Sequence, residues 1–258
     1  MTIERTSAYP PTPAGPADVT QLANAPRVTP ARVGPPVRLS GRATVMLVAL
    51  IAIIVIYATD QVAPATSERQ AELRIWLAAR ATGIVTFLLL TFQICVGLVL
   101  SHPTNKSTWR LSRRIFPWHE HAWVFVFAFL GVHIVSLILD PYAGVGVAGS
   151  FIPGLSSYRT SPVALGTIAL YAFLLTAITA RYTKLLPAGV WLSIHRLSLI
   201  VFILAWLHGI LSGTDSEALR GMYIATGLAV VGAGSYRYWA SRKGRPTFHS
   251  SRTEVSTR

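Results

Sequence analysis

The chain is short of acid, of cysteine and of charge altogether. Ten Asp and Glu stand against 23 Lys and Arg in 258 residues, and charged residues of either sign make up only 13%. A soluble domain carries about 25%, so a water-soluble globular fold is excluded. A single cysteine, Cys95, excludes any intrachain disulfide. The strict apolar–polar alternation that a membrane β-barrel needs is missing as well. No cleavable signal peptide is expected, because the first apolar run begins only at Ala43, behind a tail rich in Pro and Ala.

What is present is apolar: 52% of residues are hydrophobic. They fall in long low-charge runs, near the ~20 residues that cross a hydrocarbon core of ~30 Å. This predicts an all-α membrane protein, a bundle of six transmembrane helices near residues 43–63, 75–101, 118–139, 162–183, 188–212 and 218–239. Residues 1–42 read as a disordered cytoplasmic tail, 43–240 as the membrane domain and 241–258 as a short basic cytoplasmic tail. Pro117, Pro162 and Pro187 each stand just ahead of a predicted span, where a missing N–H costs a helix nothing.

Lys and Arg are distributed by side. The N-terminal tail, the second-to-third and fourth-to-fifth connections and the C-terminal tail hold most of them, among them Arg110, Arg113, Arg114, Arg181, Lys184, Arg242 and Lys243. The opposite connections hold only Arg69, Arg74, Arg159 and Arg220, beside six acidic residues. The positive-inside rule then puts both termini in the cytoplasm of a multi-pass cell-membrane protein. The same distribution explains the net charge of +13 without a nucleic-acid partner, and membrane lipids are the partner expected. "GVGVAG" at 144–149 matches the dinucleotide fingerprint but lacks its strand–helix setting, and reads as a flexible outer loop.

Five histidines lie in two predicted spans. "PWHEHAWVFVFAFLGVH" carries His119, His121 and His133 in the third, and "WLSIHRLSLIVFILAWLHG" carries His195 and His208 in the fifth. Both spans run outward from the cytoplasm, so His119 and His195 share an inner depth, and His133 and His208 an outer one. The fourteen residues from His119 to His133 span ~21 Å. Two level pairs of imidazoles on facing helices, among Phe, Leu and Val, predict two haem sites with two histidines each. Zinc fits less well, since neither span offers Cys or Asp to complete a tetrahedral shell. At ~100° per residue, His119 and His133 lie ~40° apart and His121 and His133 ~120° apart, which selects His119. His195 and His208 come out ~140° apart on an ideal helix, which requires a local distortion.

These residues and their surroundings resemble the ferric reductase-like transmembrane domain family, which includes membrane halves of NADPH oxidases and ferric reductases and the haem-binding subunit of the methionine-sulfoxide reductase system. The resemblance covers about residues 72–240. It rests on the four histidines and on "RATGIVTFLLLT", "LDPYAGV", "PGLSSYRTSPVALG" and "HGILSGTDS". It implies two b-type haems that carry electrons across the membrane, and that the thirteen-residue interval in the fifth span is tolerated. Only about 18 mostly polar residues follow the last span, where oxidases and reductases of the family continue into a flavin and nicotinamide domain. The donor is therefore expected to be a separate flavoprotein, a flavin or quinone bound at the cytoplasmic side, or a quinol. The acceptor is expected on the outer face: a ferric chelate, a flavin-bearing partner or a redox protein.

Haem propionates need cationic partners. Arg80 and Arg159 are candidates for the outer haem and Arg196 for the inner, and each reads equally well as a side chain reaching for headgroups. A different class of function, proton or metal-ion transport through intramembrane histidines, is disfavoured by the scarcity of acidic residues within spans.

Overall fold

The computed structural model describes residues 40–62, 64–100, 109–187 and 189–243. The predicted N-terminal tail, apart from its last residues, and the C-terminal tail beyond Lys243 lie outside the described residues. Among the described residues, nine α-helices follow in order: α1 Gly41–Val62, α2 Glu68–Leu100, α3 Trp109–His121, α4 Trp123–Leu139, α5 Gly146–Phe151, α6 Thr160–Arg181, α7 Val190–His195, α8 Ser198–Ser212 and α9 Arg220–Lys243. No strand occurs among the described residues. All-helical structure is what lipid demands, because a helix satisfies its own backbone polar groups.

Each of the six predicted stretches is helical. Among the described residues, five helical segments are long and apolar enough to cross a membrane: Gly41–Ala58, Glu68–Leu100, Leu111–Leu139, Thr160–Arg181 and Val190–Ser212. The third of these joins α3 to α4 and the fifth joins α7 to α8. Helix α9 matches them in length with 24 residues but is diluted by Gly221, Gly227, Gly232 and Gly234. Large apolar side chains such as Met46, Ile53, Leu228 and Val231 are more than half exposed, a surface suited to lipid contact and costly in water.

Helix starts follow local chemistry. Ser40 Oγ accepts the Ala43 amide and Ser67 Oγ the Gln70 amide, which satisfies amides that a helix leaves free at its first turn. Buried threonines return their hydroxyls to their own helix, as Thr86 Oγ1 does to the Thr82 carbonyl at 2.7 Å and Thr91 to Phe87 at 2.8 Å. No such hydroxyl is left unpaired in the apolar interior.

Two positions differ from the sequence expectation. Pro117 lies inside α3 rather than ahead of a span. The helix begins eight residues earlier, because the basic stretch from Trp109 is itself helical. The ladder then restarts at Ala122, whose carbonyl accepts the amides of both Phe125 and Val126. The "GVGVAG" stretch is not a loop throughout: Gly144 and Gly146 take left-handed φ values of 63° and 61°, and the chain turns into the short helix α5.

Helix α2 is central and lies against α3, α4, α8 and α9, while α6 pairs with α7 and α8, and α1 rests on α4. The apolar core is built where α2, α8 and α9 meet, from Phe87, Leu90, Ile94, Val201, Phe202, Tyr223 and Val230. Phe87 stacks on Phe202 with ring centres 5.9 Å apart. This core holds α2 and α8 in place, and so fixes the space between the pairs α2–α4 and α6–α8.

Candidate functional site

That space contains a cavity of about 220 Å³, walled by residues from α2, α4, α6 and α8. Its wall is mainly apolar, with Phe87, Leu90, Val126, Leu130 and Phe173 among the lining residues. His133 enters from α4 and His208 from α8. The His133 Nδ1 lies 2.7 Å from the Ala79 carbonyl oxygen of α2, and the His208 Nδ1 lies 2.8 Å from the Pro162 carbonyl oxygen of α6. A carbonyl only accepts, so each Nδ1 carries the proton and donates it. Each Nε2 therefore keeps its lone pair. Ser212 Oγ stands 3.1 Å from the same His208 Nδ1. Pro162 has no N–H of its own to satisfy and sits in the first turn of α6, where helical amides are unpaired in any case.

His119 and His195 meet at a second level, away from this cavity. Their ring centres are 6.0 Å apart and their planes perpendicular. His119 leaves the last turn of α3 and His195 ends α7. Gln93 Nε2 of α2 donates to the His119 carbonyl oxygen at 2.7 Å, which ties the break after α3 to the central helix. The Nδ1 atoms of both histidines, and Gln93 Oε1, are buried without a hydrogen-bond partner. Trp191, one turn before His195, packs its ring 6.0 Å from that imidazole. His121 instead turns outward and bonds through Nδ1 to the Pro117 carbonyl of its own helix at 2.8 Å. Of the two candidates at this end, His119 is the one that meets His195.

The thirteen-residue interval of the fifth span is absorbed by a break. Helix α7 stops at His195 and α8 starts at Ser198. Between them the Leu197 amide bonds to the Ile194 carbonyl and the Leu199 amide to Arg196, both three residues back. Such bonds wind the chain at ~120° per residue in place of ~100°. The extra rotation turns His208 toward the face that carries His195.

The three arginines have separate environments. Arg80 lines the cavity. It forms an ion pair with Asp215, hydrogen-bonds Thr214 and lies 4.5 Å over the Trp76 ring. Arg159 donates to the Leu211 and Gly213 carbonyl oxygens at 2.7 and 3.2 Å, and so caps the C-terminal end of α8. It holds a left-handed backbone at φ 39° to do so. Arg196 is exposed, in the break beside His195. Arg80 and Arg159 are thus both tied to the segment after His208, from opposite neighbours.

Among the described residues no group of three or more His, Cys, Asp or Glu gathers as a metal cage. The donors come as two facing pairs. The structure also brings in residues that sequence reading passed over. Gly83 backs His133, Gly97 backs His119 and Gly166 backs His208, and Asp215 supplies the counter-ion of Arg80. A signal was there: Gly83 and Gly97 are fourteen apart, the interval of His119 and His133. Comparison with protein-family models, curated proteins and solved structures finds no match for this chain.

Proposed function

We propose that the chain is a six-span protein of the cell membrane, with both termini cytoplasmic, that holds two haem b groups as the membrane subunit of a ferric-reductase-like oxidoreductase. His119 and His195 hold the inner group, and His133 and His208 the outer. When bound, such groups supply one-electron transfer between a cytoplasmic donor (a separate flavoprotein, a bound flavin or a quinol) and an acceptor on the outer face.

The observation that carries this reading is the pairing of four imidazoles at two levels, with the outer two lining a mainly apolar cavity. The donor set fits the group. Imidazole is a common axial ligand of haem iron, and an apolar wall suits a macrocycle. The ring centres of His119 and His195 stand 6.0 Å apart, close enough for both to hold one group.

The chain's own residues do the rest. The Ala79 and Pro162 carbonyls fix the tautomer of the outer ligands, and the apolar wall excludes water. If two histidines hold each metal, the group would supply one-electron transfer, and these residues would hold it without binding a reactant. The propionates expected of the outer group fall to Arg80, which can exchange its Asp215 partner for them, with Arg159 nearby. Arg196 serves the inner group. The visible spectrum of the purified full-length protein tests the proposal. A split low-spin haem signal that responds in two steps to a redox titration is expected, and a colourless preparation from haem-replete cells overturns it.

A further inference from the structure

Three of the four imidazoles lie close against a glycine of a neighbouring helix. A methyl group built on Gly166 would stand 2.7 Å from His208 Cε1 and Nδ1. One on Gly83 would stand 2.9 Å from the same atoms of His133, and one on Gly97 3.0 Å from His119 Cε1. Unstrained carbon contacts are about 3.5–4.0 Å, so a Cβ at any of these positions pushes its imidazole aside.

The carbonyl that takes each outer Nδ1 proton comes from the residue one turn earlier, Ala79 before Gly83 and Pro162 before Gly166. The coincidence has a cause in helix geometry. A helical side chain covers the turn N-terminal to its own Cα. A side chain at 83 or 166 would therefore shield the carbonyl at 79 or 162, and glycine leaves it open. That carbonyl has a second lone pair beyond its helical bond, and the imidazole takes it.

Part of the pattern repeats one level inward. Gly97, against His119, lies one turn after Gln93, and Ala180 lies one turn after Thr176. Both α2 and α6 thus repeat the carbonyl-and-small-residue pair at an interval of fourteen, as 79/83 and 93/97, and as 162/166 and 176/180. The histidines facing α2 keep that interval. Those facing α6 are thirteen apart, and the overwound break at Arg196 and Leu197 makes up the missing residue.

We infer that Ala79–Gly83 and Pro162–Gly166 are imidazole seats, positioning pairs in which a glycine makes room for the ring and an uncovered carbonyl one turn back sets its proton, and that Gly97 makes room for His119 in the same way. The fourth place carries Ala180, so the inner level is seated on glycine from one side only. What the seated rings bind rests on the function proposed above; the seats themselves are a property of the chain.

The test uses full-length Gly166→Ala, Gly83→Ala and Gly97→Ala, with Gly131→Ala as control, since a methyl there meets nothing within 4 Å. All four should match the unmodified chain in helical circular dichroism. In the pigmented protein, Gly166→Ala and Gly83→Ala should weaken retention of the outer low-spin signal by roughly 10- to 100-fold. Gly97→Ala should act on the inner signal, and Gly131→Ala on neither. A second readout does not need haem. In full-length protein from haem-deficient cells, ¹⁵N-histidine spectra should show His133 and His208 protonated at Nδ1, and should show that preference lost in Gly83→Ala and Gly166→Ala respectively. Ring spectra unchanged in both variants would overturn the seats. A colourless wild type whose ring spectra do change would leave the seats standing and remove the haem proposal alone.

Discussion

The two histidine levels are built from the same parts and finished differently. At the outer level both Nδ1 atoms are hydrogen-bonded, both rings rest on glycine, and a cavity opens between them. At the inner level both Nδ1 atoms and Gln93 Oε1 are buried without partners, and the rings face each other at 6.0 Å. Buried polar groups are normally paired, and an unpaired one costs about 1–3 kcal/mol. The outer level is therefore held by the protein's own hydrogen bonds, which the inner rings lack. The inner level also sits beside both helix breaks, after His121 and after His195, where the backbone can adjust.

The largest effects come from removing a ligand, and they separate the levels. His133→Ala or His208→Ala should abolish the outer redox step and keep the inner one. His119→Ala or His195→Ala should do the reverse. A redox titration that keeps both steps in any of these variants breaks the assignment of levels. Because the outer rings are held in advance, the outer site should also reload faster than the inner one when haem is added to pigment-free protein, and stopped-flow absorbance reads this directly.

Next in size are the seats, and their order sharpens the comparison. The methyl contacts of 2.7, 2.9 and 3.0 Å rank the loss of retention as Gly166→Ala, then Gly83→Ala, then Gly97→Ala. Gly97→Ala is the mildest for a second reason: His119 has no Nδ1 bond to lose. An inner-site variant more damaging than either outer one would contradict the idea that the protein preorganises the outer level.

Much of this was legible in the sequence, for identifiable reasons. Apolar runs of membrane length gave helices at all six predicted stretches, and the spacing of His119 and His133 gave their shared face. The wheel analysis also required a distortion between His195 and His208, and the break at Arg196–Leu197 is where it lies. Its location was not readable, since the stretch has neither proline nor glycine to announce a break. Pro117 misled in the opposite sense: a proline that marks a helix start in isolation is carried inside α3. The glycine seats were hidden because glycine in a membrane helix has many uses, and only the partner across the helix pair distinguishes them. Asp215 was placed on the outer side by charge counting, yet nothing in its spacing tied it to Arg80, 135 residues away.

The Arg80–Asp215 pair lines the cavity, with Arg80 17% and Asp215 43% exposed. Asp215→Asn leaves the guanidinium without its counter-charge. A fully buried pair broken this way costs about 3–5 kcal/mol, and exposed pairs are worth about 0–1. With Asp215 this open to solvent, a loss of order 1 kcal/mol in thermal stability is expected. The effect should be larger in pigment-free protein, since bound propionates would give Arg80 a replacement partner. Equal losses with and without pigment would show that Arg80 does not face the propionates. Arg80→Leu should lower the potential or the occupancy of the outer step and leave the inner step alone.

The smallest expected effect concerns the inner level and the residue that competes for it on paper. His121 is only two positions from His119, of the same chemical type, and at the same end of the span. Its Nδ1 is engaged by the Pro117 carbonyl one turn back, and its ring is exposed, on the side away from His195. His121→Ala removes one local hydrogen bond in water-accessible surroundings, worth about 0.5–1.5 kcal/mol at most, and should leave both redox steps and both low-spin signals unchanged. If His121→Ala abolished the inner signal while His119→Ala preserved it, the inner ligand would be His121. The 6.0 Å approach of His119 to His195 would then be packing, and the equivalence of the two levels would end at the outer one.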